Sequence, residues 1–110
     1  MEKNQYIPVM IQSLKKKSEI LDAIMELNIR QSEELENPAL DPDDFDKTVE
    51  EKSKQIEQLD LLDDGFQELF DRVKDDLKNH QDIYRDEIAQ MQDYIRKLTS
   101  KSATIQVQEA

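Results

Sequence analysis

"KNHQD", residues 78–82, lies between two apolar series and decides whether they share one helix or two. Asn79, His80 and Asp82 are weak helix formers, yet the stretch has neither glycine nor proline. Downstream, Leu77, Tyr84, Met91 and Leu98 stay seven residues apart. Ile105 continues that series, and the companion row, with Ile88 and Ile95, shifts by one residue near His80, a stutter that unwinds a helix locally without ending it. Two outcomes follow. Either the helix continues, reaching about 85 Å over roughly 57 residues at 1.5 Å each, or it bends at 78–82 and folds back as a third helix.

Upstream, "LDLLDDGF" (59–66) poses the same question one step earlier, because Asp63, Asp64 and Gly65 interrupt a leucine run. The seam through it is regular: Phe45, Val49, Lys52, Ile56, Leu59, Asp63, Phe66, Phe70, Val73 and Leu77, in steps of four and three. A helix that ended at Gly65 would have no reason to resume in phase, so this periodicity predicts one helix over 42–79. Leu62 and Leu69 flank the seam and cover for Asp63. Gly65 costs about 1 kcal/mol relative to alanine, and close approach of a neighbouring backbone near Ser13 would explain it; an incidental glycine at the seam's edge is the alternative.

Before this helix comes "ENPALDPDDF" (36–45), the clear break in the chain. Pro38 pushes Asn37 out of helical geometry. Asp41 reads as an N-cap, with Pro42 at the first helical position and Asp44 in the first turn. Ile7, Ile11, Leu14, Leu21, Met25 and Leu35 form one face of a preceding helix over about 6–36, with Ser18, Asn28 and Ser32 in its gaps. Ile20, Ile24 and Leu27 widen that stripe. So short a turn makes the two helices antiparallel. The expected fold is all-α: one domain over 1–110, a long helical hairpin whose second helix is extended, or bent near residue 80 into a third helix over about 80–99, with a tail at 100–110.

Hairpin geometry leaves the first helix able to cover the second only to about residue 73. The later stripe must then be met by folding back, by self-association or by a client. Tyr84, Ile88, Met91, Ile95 and Leu98 are therefore the candidate partner-binding row, against the simpler reading that they are core.

Composition narrows function. Charged residues make up 37% of the 110 residues and hydrophobic ones 36%, with one glycine, which suits long helices sharing a narrow seam. The net charge is -11, a field that repels nucleic acid and anionic membrane surfaces. It is uneven: residues 41–79 carry 14 acidic and 6 basic side chains, whereas residues 80–110 carry 5 and 4. Cysteine is absent, which removes disulfides and thiolate metal sites, and no apolar run has the length of a membrane span. A soluble, cytoplasmic chain without cofactor is expected.

Catalytic chemistry has little to stand on. His80 is the single histidine, and Asp76, one turn earlier, offers it an ordinary ion pair. Leu77 occupies the position where a Glu-x-x-His metal motif needs its carboxylate. "DPDDFD" (41–46) lacks the central glycine of a calcium loop and puts Phe45 at a ligand position, so capping accounts for it. "KKK" (15–17) and the acidic clusters of the second helix read as solvated faces. An enzyme is not expected.

"EEKSKQIEQLDLLDDGFQELFDRVKDDL" (50–77), followed by "YRDEIAQMQDYIRKLTSKSATIQVQEA" (84–110), resembles the flagellar type III export chaperones of the FlgN/FliT type, in particular the divergent members of clostridial-type bacteria. "LDDGF" (62–66), "DRV" (71–73) and "IQVQEA" (105–110) carry the likeness. The resemblance implies a cytosolic helical protein that holds late export substrates, hook–filament junction or filament-cap proteins, through their amphipathic C-terminal helices, and that can meet the export apparatus. The alternative reading is a structural coiled-coil protein whose late helix drives homodimerisation or sequesters a regulator. In either case the seam of the second helix is structural. Leu59→Asp would place an unpaired charge in it at a cost of several kcal/mol; loss of the cooperative urea transition is the expected result.

Overall fold

Asn37, extended ahead of Pro38, ends the first helix, and Asp41 opens the second by accepting the Asp43 N–H on its side chain at 2.9 Å. The computed structural model describes residues 4–109. They form α1 (Tyr6–Glu36), α2 (Pro42–Asn79) and α3 (Arg85–Glu109). The first two helices have the expected bounds, and α2 runs unbroken through Gly65.

At 80–84 the chain bends. His80 leaves helical geometry, residues 80–84 form a turn, and α3 folds back. The third helix starts at Arg85 rather than near residue 80. It also continues to Glu109, so the expected tail at 100–110 is helix as far as that residue. Three residues hold this last stretch on α1. Ile105 packs against the core, Lys101 Nζ donates to Ser18 Oγ at 2.7 Å and to Asp22 Oδ2 at 3.0 Å, and Gln108 meets Asn28 and the Met25 carbonyl.

These contacts fix direction. Asn4 meets Tyr84, Ser18 meets Lys101, and Asn28 meets Gln108, so α3 lies parallel to α1. Lys17 pairs with Asp63, and Arg30 with Glu51 at 3.7 Å, so α2 lies antiparallel to it. The first helix packs against both others, whereas α2 and α3 share no pair of Cα atoms within 8 Å among the described residues. Burial follows: nine residues of α1 are buried, against two of α2 (Thr48 and Val73) and two of α3 (Met91 and Leu98). Helix α1 is the shared centre. The molecule extends 63 × 20 × 17 Å with a radius of gyration of 17.9 Å, well above the roughly 13 Å of a compact domain this size.

Two sequence expectations change. Gly65 is exposed, and a Cβ placed on it would meet nothing within 4 Å, so close backbone approach does not explain it. Along the first half of α2, Val49 and Ile56 of the expected seam are exposed while Thr48 is buried. The Thr48 hydroxyl satisfies itself by donating to the Asp44 carbonyl oxygen at 2.8 Å and also reaches Glu34 of α1. Gly65→Ala should therefore stabilise the fold by about 0.5–1 kcal/mol, seen as a rise of a few degrees in melting temperature. A fall would mean that the α2 backbone needs the glycine.

Candidate functional groove

The five residues of the late stripe divide into two groups. Tyr84 is 1% exposed, Met91 7% and Leu98 7%, all within the core cluster that α1 dominates. Their burial inside the chain corrects the expectation that they form a partner row: α1 is wide enough to take α3 as well as α2. Tyr84 is fixed further by its hydroxyl, which accepts the Asn4 N–H at 2.8 Å and lies 3.3 Å from Asp76 Oδ2, the oxygen that also accepts from Asn4 Nδ2. Ile88 and Ile95 are less buried, although Met91 and Leu98 also touch the cavities. Both flank the buried row, Ile95 is 47% exposed, and both line an open space between α2 and α3.

That space is a groove with α1 as its floor. Because the backbones of α2 and α3 each pack on α1 and do not approach one another within 8 Å, two adjoining cavities of about 500 and 410 Å³ lie between them. The two meet at Phe66 and Ile95, which line both. Met10 and Leu14 form the floor. On the α2 wall Phe66 stacks on Phe70, ring centroids 6.5 Å apart and planes 11° from parallel, and Leu77 extends the wall toward the turn. Phe70 remains 39% exposed. The walls run over residues 62–78 and 88–106, about 25 Å of helix. A helix of some 16 residues matches that length.

Both ends of the groove are tied. The turn at 80–84 closes one, where the Tyr84–Asn4–Asp76 contacts gather. Toward the other, Lys52 Nζ reaches from α2 to Glu109 of α3 at 2.7 Å. This accounts for a lysine in the α2 seam, which the heptad pattern by itself leaves unexplained: its ammonium bridges the gap between the two walls. Asp63 is likewise accounted for by Lys17 of α1, the ion pair sitting beside Leu62 and Phe66. Sequence periodicity missed the groove because it ranks residues by phase on one helix, and a groove depends on the spacing of two helix backbones held apart.

Elsewhere the surface offers little chemistry. His80 Nε2 lies 3.8 Å from Asp76 Oδ1, the neighbour its spacing implies and an ion-pair partner when the imidazole is protonated. Among the described residues no group of three or more His, Asp or Glu is placed to hold a metal ion, and no helix is long and apolar enough to cross a membrane. No family model, curated protein or solved structure matches the chain.

The split within one stripe has a direct consequence. Met91→Asp should unfold the protein, since it buries an unpaired charge against α1 at a cost of several kcal/mol. Ile95→Asp, four residues on and half in solvent, should change stability by no more than about 1 kcal/mol. Urea denaturation of the two variants checks the contrast, and equal destabilisation would place Ile95 in the core.

Proposed function

We propose that this chain is a cytosolic helix-binding chaperone whose α2–α3 groove holds an amphipathic helix of a late flagellar export substrate, such as a hook–filament junction or cap protein, until secretion. The observation that carries this reading is the groove. It is open, its floor and aromatic wall are apolar, and it has the length of a short helix. An amphipathic helix laid into such a groove buries its apolar stripe on three sides, the helix-in-groove mode of peptide recognition. The resemblance of residues 50–77 and 84–110 to the FlgN/FliT-type chaperones supports the choice of client.

A preformed groove suits a client that is disordered before it binds. Ordering such a segment costs several kcal/mol, which the Phe66, Phe70 and Ile95 surfaces offset by excluding water from the client's apolar face. Binding of moderate strength then lets the export machinery take the client back.

Homodimerisation is the second reading. Its support is the half-exposed series Val49, Ile56 and Phe70 along α2. The charge of the segment opposes it, because two copies would bring together α2 regions of 14 acidic and 6 basic residues each.

Titration calorimetry against C-terminal segments of hook–filament junction and cap proteins tests the chaperone reading. A 1:1 complex that weakens at least tenfold, about 1.4 kcal/mol, in the Phe70→Asp, Ile95→Asp double variant is the expected result. Absence of binding, or binding that this variant leaves intact, would overturn it. Light scattering over a concentration series that finds a stable dimer would favour the second reading.

A further inference from the structure

Given a helix in the groove, as proposed above, we infer that its occupant carries acidic residues beside its apolar stripe at the end lying over the 80–84 turn. The lining itself points there. Its charged members are Lys17, Asp63, Lys74 and Lys78. The carboxylate among them is already paired with Lys17. The half nearer the turn is thus left with two lysines and no carboxylate in its lining. Lys74 approaches Asp71 only at 3.9 Å, and Lys78 forms no ion pair among the described residues. Arg85 stands at the same end, in a shallow adjoining cavity that shares Gln81, Ile88 and Gln92 with the groove and also includes Asp82.

This local sign opposes that of the whole molecule, whose net charge is -11. The opposition makes the inference discriminating. A chain that attracted helices through its overall field would prefer a basic one. Exposed charges separated by more than about 8 Å are largely screened at physiological ionic strength, so a seated helix senses Lys74, Lys78 and Arg85 more strongly than the acidic outer face of α2. The other half of the groove is lined by Ser13, Thr99, Ser102 and Gln106 beside its apolar residues. It imposes no comparable sign, which confines the acidic requirement to one end.

Two synthetic 18-residue amphipathic peptides provide the test, identical in their leucine stripe and flanked by Glu in one and by Lys in the other at the same end. Each carries a fluorophore, and anisotropy is read at physiological salt against the full-length chain. We expect the Glu peptide to bind about fivefold or more tighter, and the Lys74→Glu, Lys78→Glu double variant to reverse the order. Both lysines are exposed, so circular dichroism should show that this variant keeps its helix content. Equal binding of the two peptides, abolished by Phe70→Asp with Ile95→Asp, would overturn the charge preference while leaving a helix-binding groove. Tighter binding of the Lys peptide would overturn it in favour of the overall field. Binding of neither peptide would overturn both the preference and the groove's role.

Discussion

The structure depends on the width of the apolar face of α1. A helix that pairs with one partner needs a stripe about 100° wide. Ile7, Met10, Leu14, Leu21 and Ile24 with Ile20 and Leu27 cover more than that, so α1 receives α2 on one side and α3 on the other. Its polar gaps set the register. Ser18 and Asn28, buried within an otherwise apolar face, each take a hydrogen bond from or to α3, through Lys101 and Gln108. A shift of α3 by one turn would strand these groups, and a buried polar group without a partner costs about 1–3 kcal/mol.

A three-helix arrangement with a shared centre leaves its outer two helices separated, and this produces both the shape and the groove. Most of α2 touches one neighbour, which is why only two of its residues are buried and why its many carboxylates stay solvated at little cost. The aromatic pair Phe66 and Phe70 is placed where a fourth helix of a bundle would complete its burial. The turn and the Lys52–Glu109 contact hold the walls at the two ends, so the gap is part of the fold.

Much of the fold was legible because helix periodicity and capping are local. The bounds of α1 and α2, the Asp41 cap and the passage through Gly65 follow from residue spacing and short-range hydrogen bonding. The late stripe was visible as an amphipathic series, but its destination was not. Tyr84, Met91 and Leu98 read the same whether they meet α1 or another protein, since spacing says which residues share a face and nothing of what covers it. Thr48, buried beside the exposed Val49, was passed over for a related reason: a threonine that bonds to its own helix can occupy a position that hydropathy reserves for leucine.

By itself, then, the sequence determined an all-helical chain, its first reversal, its acidic second helix and the absence of cysteine chemistry, because each rests on neighbours within a few residues. Tertiary structure decided the bend at 80–84, the parallel seating of α3 on α1, and the division of one stripe into buried Tyr84, Met91 and Leu98 and the more exposed Ile88 and Ile95. The physical reason is range. Those outcomes depend on contacts some eighty residues apart in the chain, Asn4 with Tyr84 and Asn28 with Gln108 among them, which no local pattern encodes.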